Sequence, residues 1–198
     1  MDNFQTQIDS ENQKVTEQKS SGGIKHFFLE VIETVLMALL LYAGINAISA
    51  RIRVDGYSMV PTLQNGELVI VNRLSYKFSK PKIGDVIVFR FPKNPQQEYI
   101  KRIIGLPGDL VEVHSGRVMV NGKVIDEPYI SEPPAYSTKT SVPQNSLYVL
   151  GDNRNNSSDS HAWGPVPFEY VIGKAVFVYW PPANWGLVDH IVAAIAAP

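Results

Sequence analysis

Apolar and polar positions divide the chain into unlike parts. Residues 1–23 are polar, with almost nothing to bury, and read as a disordered tail. Over residues 24–50 the pattern inverts. Positions 34–50 hold no charged residue. With Val31 and Ile32 the run approaches the ~20 residues that cross ~30 Å of hydrocarbon at ~1.5 Å each. Glu33 can snorkel towards one headgroup layer, and Arg51 and Arg53 fall at the other end. The run is read as a transmembrane anchor helix. A cleaved signal peptide competes, because small residues near Ala47 and Ser49 permit cleavage; so does a buried soluble helix. The long polar leader, without a compact basic stretch, favours the anchor.

Residues 51–182 carry a different rhythm. Short β-rich runs recur at 67–72, 85–91, 99–106, 110–114, 117–120, 147–150 and 171–180, with turn signals between them. Asn121-Gly122 after the RVMV run predicts a type I′ hairpin turn. Pro143 and the Pro133-Pro134 pair exclude a long helix in between. The pattern predicts a mostly β domain, a twisted antiparallel β-sheet, on one N-terminal transmembrane helix. Residues 183–198 are apolar but too short to span, and predict a short helix packed on the domain or lying at the interface.

Composition narrows the chemistry. The 198 residues carry a net charge of −1 and no cysteine, which removes disulfides, thiolate metal sites and a Cys nucleophile. Near-neutrality gives no nucleic-acid footprint. Four scattered His offer no ligand pair at helical or strand spacing, so no metal is expected, and no cofactor motif is present. Three Lys precede the apolar span, and Arg51, Arg53 and Arg73 follow it. Taken alone, that bias would put the C-terminal domain in the cytoplasm.

Three stretches can carry chemistry. Ser58 lies in Gly56-Tyr57-Ser58-Met59-Val60-Pro61, where the proline keeps Val60 out of helical conformation. The serine therefore sits on a turn or extended segment, with backbone N–H groups free to stabilise an oxyanion; the plainer reading is a polar turn before a strand. Lys101 lies inside the apolar run Tyr99-Ile100-Lys101-Arg102-Ile103-Ile104. A cation in apolar surroundings loses hydration, its pKa falls, and a neutral amine becomes available as a general base. The plainer reading is a stem packed on a sheet edge with its head in water. The loop at residues 151–161 holds two Asp, three Asn, three Ser, an Arg and a His. There Asp152 can fix the chain turn, Ser157 or Ser160 can orient a buried amine, and Asp159 can pair with Arg154 or His161. A solvated loop is the alternative. A Ser-His-Asp triad has material in His114 and His161, but no spacing ties either to Ser58, and Ser58 lacks the lysine three residues on that an SxxK site needs.

Together these stretches resemble the bacterial type I signal peptidases, membrane-anchored proteases with a Ser/Lys dyad. The resemblance lies in Ser58-Met59-Val60-Pro61-Thr62-Leu63, Gly84-Asp85-Val86-Ile87-Val88-Phe89, the lysine run through Asp109, and Gly151-Asp152-Asn153-Arg154 through Gly164, in family order, over roughly residues 30–180. It implies that Ser58 is the nucleophile and Lys101 the general base. It further implies that Ser157 orients the lysine, that Asp159 and Asp152 organise the site, and that the Ser58 N–H, with Gly56, serves the oxyanion. Met59, Leu63 and Ile100 match positions near the substrate pockets, whose narrowness would suit Ala-x-Ala motifs. The implied partners are preprotein signal peptides emerging from the export machinery, and membrane lipid. The implied location is a single-pass cell-membrane protein with its catalytic domain on the trans side, against the charge bias.

This chain departs from the family pattern at three places. His161 stands where the family usually has Arg, so its pairing with Asp159 depends on protonation of the imidazole. Asn155 stands where Asp is common. Gly56 replaces a hydroxyl that completes the oxyanion hole in some members. The rivals are a self-cleaving repressor or related Ser/Lys protease, which would carry a DNA-binding domain instead of a span, and a membrane-tethered β binding module without catalysis.

Overall fold

A computed structural model describes residues 21–190, and the chain divides into two compact units at Ala47/Ile48. The polar tail 1–20 and the last eight residues lie outside the described part. The first unit holds one helix, α1 (Ser21–Ile48). Its 26 residues from Gly23 to Ile48 are apolar enough to cross a membrane, and none of its most apolar window is buried inside the protein. At ~1.5 Å per residue it is roughly 39 Å long, enough for ~30 Å of hydrocarbon with some to spare. It ends two residues before the expected boundary, because Ser49 and Ala50 already pair as strand.

The second unit is mostly β, as its pattern predicted. Its larger sheet contains β1 (Ser49–Arg53), β2 (Leu68–Asn72), β3 (Val86–Phe91), β4 (Asn94–Gly105), β9 (Ser146–Leu150), β10 (Val166–Pro167), β11 (Val171–Trp180) and β12 (Gly186–Leu187). The strand order is β1-β2-β11-β3-β4-β9-β10, with β12 on β11. The smaller sheet, ordered β7-β6-β5-β8, is built from β5 (Leu110–His114), β6 (Arg117–Val120), β7 (Lys123–Val124) and β8 (Thr138–Ser141). Adjacent strands are antiparallel throughout. Two one-turn helices, α2 (Ser75–Phe78) and α3 (Ser160–Trp163), interrupt the β framework. Asn121 and Gly122 both take positive φ between β6 and β7, the conformation a type I′ turn demands and the reason Asn-Gly stands there.

Strand β4 is the junction of three apolar clusters, and this placement builds the site. Ile100 packs with Val54, Met59, Leu63 and Val88. Ile103 packs with Ile87, Phe89 and Val149. Ile104 packs with Val111, Tyr148 and Leu150 between the two sheets. The two cations between these anchors, Lys101 and Arg102, are therefore drawn into the interior.

Of the C-terminal stretch expected to hold a short helix, residues 191–198 lie outside the described part; through His190 the chain forms a 3₁₀ turn at Pro182–Asn184 and then β12. Val188 is buried in the core, its N–H donating to the Val176 carbonyl, and His190 Nδ1 accepts from the Val86 N–H at 3.1 Å. Pairing with an open strand edge satisfies more backbone groups here than one isolated turn of helix does. The globular unit thus continues past residue 182.

Candidate active site

The Ser58 segment is held from both sides. The Leu63 N–H closes a turn onto the Met59 carbonyl, and Met59 and Leu63 are wholly buried beneath it. From the 151–161 loop, the Asn153 N–H donates to the Ser58 carbonyl at 3.0 Å and Asn153 Nδ2 to the Tyr57 carbonyl at 3.1 Å. Gly151 is what lets the loop come this close. A Cβ there would stand 2.4 Å from the Ser58 carbonyl oxygen and 2.3 Å from Ser157 Oγ, so only glycine fits.

On β4, forty-three positions away, Lys101 reaches the same point: its Nζ lies 2.6 Å from Ser58 Oγ and 3.0 Å from the Ile100 carbonyl. Lys101 is 4% exposed. Burial lowers its ammonium from 10.5 to about 8, overriding the opposing pull of Asp159 and then Asp152. Both atoms open on a cleft of about 760 Å³, lined by Gly56, Tyr57, Tyr99 and Ile100 among others. The arrangement thus brings a hydroxyl, an amine of depressed basicity and an open cleft to one point.

The carboxylates are taken up elsewhere. Asp152 and Arg102, both without side-chain exposure, form a two-pronged pair at 2.8 and 2.7 Å. Thr62 Oγ1 donates to the same carboxylate. Arg102 Nη1 also donates to the Gly84 and Asp189 carbonyls, and its guanidinium lies 4.0 Å over the Tyr129 ring. Asp159 accepts from the Gly151 N–H at 3.0 Å and caps α3 through the His161 N–H. Its Oδ1 lies 2.7 Å from His161 Nδ1, and the His161 ring stacks on Tyr136 at 4.0 Å. Arg154 pairs with Glu127, not Asp159. His161 is thus a partner of Asp159 and not of Ser58, while His114 sits exposed at the end of β5 in the other sheet.

Several of the expected site residues have other engagements in the structure. The Gly56 N–H donates to Asn65 Oδ1 at 2.8 Å. Ser157 lies against Gly151, but its buried Oγ makes no hydrogen bond among the described residues; Lys101 is oriented by the Ile100 carbonyl instead. Of the residues expected near the substrate pocket, Ile100 lines the cleft, whereas Met59 and Leu63 form the packed floor behind Ser58, their apolar bulk favouring the core over an open wall. The contributions of Asn65, Asn153 and Thr62 were missed. Each is a small polar residue whose partner lies 9 to 96 positions away, and no local pattern marks such pairs.

An apolar helix long enough to cross a membrane is thus followed by an antiparallel β unit that holds a serine and a buried lysine in one cleft. Comparison with known proteins assigns the family. The family model described as signal peptidase, peptidase S26, matches residues 28–180. The chain is 43% identical over 180 residues to a probable signal peptidase I-2 of Synechocystis, covering 87% of this chain and 83% of that protein. It is 37% identical over 183 residues to the signal peptidase I of Bacillus caldolyticus, covering 84% and 96%. A signal peptidase I crystal structure from Enterococcus faecalis aligns with 48% of this chain and 97% of that one, at 32% identity and a TM-score of 0.45. The chain belongs to the S26 signal peptidase family.

Proposed function

We propose that this peptidase removes N-terminal signal peptides from exported preproteins, after small-x-small motifs of the Ala-x-Ala kind, by a Ser58/Lys101 dyad on the trans side of the membrane. The observation that carries the reading is the 2.6 Å approach of Lys101 Nζ to Ser58 Oγ with the lysine buried. With its basicity lowered to about 8, a sizeable fraction of Lys101 is neutral near physiological pH.

The neutral Nζ accepts the Ser58 proton as Oγ bonds to the scissile carbonyl carbon. The Ser58 N–H, which donates to nothing among the described residues, stabilises the oxyanion that forms. Lys101 returns the proton to the leaving amine as the C–N bond breaks, leaving an ester on Ser58. A water then gives its proton to Lys101 and attacks the ester, the acid is released, and Ser58 recovers its proton. The preference for small residues rests on the family resemblance and on steric exclusion from a narrow pocket. The trans-side placement follows from the substrate, since signal peptides emerge there from the export machinery. Enzyme and signal peptide both held in lipid meet at raised effective concentration.

The test uses the full chain in detergent with a preprotein. Ser58→Ala and Lys101→Ala should each lower cleavage by several orders of magnitude while the circular dichroism spectrum stays that of the parent. Wild-type processing by either variant would overturn the dyad.

A further inference from the structure

Between Glu67 and Asp85 the chain holds four cations, Arg73, Lys77, Lys80 and Lys82, and no acidic residue. All four are exposed, and none takes part in an ion pair among the described residues. The two flanking carboxylates do not compensate them from the surface, because both are buried and engaged inward. Glu67 accepts from the Gln64 N–H and Asn184 Nδ2, and Asp85 accepts from Lys174, the Tyr76 hydroxyl and the Lys82 N–H. In the middle of these cations Phe78, the last residue of α2, is 85% exposed.

The segment is built to hold this shape. Tyr76 is tied to Asp85 and packs edge-on against Phe168 at 6.1 Å. Ser79 closes the turn of α2 through both its N–H and its hydroxyl onto the Ser75 carbonyl. Its first cation is tied to the start of the same unit, where the Arg73 N–H donates to the Ile48 carbonyl at 2.9 Å.

We propose that residues 73–82 form a docking surface for anionic lipid headgroups, with Lys77, Lys80 and Lys82 on the phosphates and Phe78 in the interfacial layer. The occupant follows from charge and place. An uncompensated cationic segment in a unit that follows an apolar span directly along the chain is tethered within reach of a lipid surface. Such cations attract an anionic surface by roughly fivefold each in the docked-to-undocked ratio, and an aromatic ring among them suits the water–hydrocarbon boundary. This surface lies outside the Ser58 cleft and does not depend on the dyad assignment.

The chain has no cysteine, so Phe78→Cys gives a single attachment point for an environment-sensitive fluorophore. The labelled full-length protein is reconstituted into vesicles of phosphatidylcholine alone or with 30% phosphatidylglycerol. The expected result is a blue-shifted emission in the anionic vesicles only. In a Lys77→Gln/Lys80→Gln/Lys82→Gln background the docked-to-undocked ratio should fall on the order of 100-fold, and molar salt should have the same effect. Cleavage of a soluble peptide in detergent should be unchanged, which shows that the variants fold. Equal emission in both vesicle types, or a shift that survives the triple substitution, would overturn the proposal. So would a response to polyglutamate without one to anionic vesicles, which would assign the surface to an acidic protein.

Discussion

Replacing Lys101 by methionine should stabilise the protein while destroying its activity. The substitution keeps the length and apolar stem of the side chain and removes the buried charge. In the wild type, burial lowers the lysine from 10.5 to about 8. The unfolded chain therefore binds the proton more tightly than the folded one, and stability rises with pH across this window. The neutral amine carries no penalty above 10.5; the penalty grows as pH falls from there and is complete once pH drops through about 8. A lowering of that size corresponds to about 3 kcal/mol at pH 7. Losing the hydrogen bonds to Ser58 and to the Ile100 carbonyl offsets about 1–2 kcal/mol of the gain, leaving Lys101→Met ahead by about 1–2 kcal/mol. For a chain of this length that is roughly 2–8 °C in melting temperature. The assay is thermal unfolding of both full-length proteins in detergent, followed by near-ultraviolet circular dichroism at pH 7 and pH 9.5. Taking the difference between them cancels every other titrating group. The advantage should shrink by about 2 kcal/mol between the two pH values. A methionine variant no more stable than wild type at pH 7, or an advantage independent of pH, would refute a buried lysine of depressed basicity.

Other outcomes follow from the same geometry. The kcat/KM of the wild type should rise with pH through a limb near 8; Asp159→Asn removes the largest influence that raises Lys101, so the limb should move to lower pH, and an unmoved limb would count against that coupling. Gly151→Ala places a Cβ 2.4 Å from the Ser58 carbonyl, so preprotein cleavage should drop by at least 100-fold; full activity would mean the loop yields without disturbing the serine. Protease added to sealed right-side-out vesicles should reach residues after Arg51, and complete protection with an active protease would reverse the proposed orientation.

How much of this was legible in the sequence depends on how local each cause is. The strong strands β2, β3, β5, β6 and β11 announce themselves through β-branched runs, and the Asn121-Gly122 turn through its own φ demands. β1 (SARIR) and β8 (TKTS) were not predicted. Their residues alternate between exposed and half-buried, and they are strands because β2 and β5 offer them partners, which is tertiary information. Lys101 was legible because a cation in an apolar run is costly unless it has a purpose. Its contact with Ser58 is invisible locally and rests on the order of motifs. The acceptor that takes the Gly56 N–H, Asn65, lies beyond the turn, where no local pattern marks it. Nor does proximity to the site decide which acceptor a lysine takes: in the structure the adjacent Ile100 carbonyl accepts from Lys101, and Ser157 Oγ makes no hydrogen bond among the described residues.

The harder question is how a lysine loses basicity beside two carboxylates that pull it upward. The answer lies in what else those carboxylates bind. Asp152 is matched by Arg102, whose guanidinium is fully buried against it in a two-pronged ion pair. Its field at Lys101 is therefore that of a pair rather than of a lone anion. Asp159 is satisfied by two backbone N–H groups and by His161, so its lone pairs are occupied without a direct bond to Lys101. Desolvation then dominates. The adjacent positions 101 and 102 divide through strand alternation: one side chain enters the cleft, where the proposed dyad would have it exchange a proton, and the other enters the interior and pairs with Asp152. Arg102 also grips the Asp189 carbonyl, so the segment beyond the family-matched region helps to fix the residue on which the basicity of Lys101 depends.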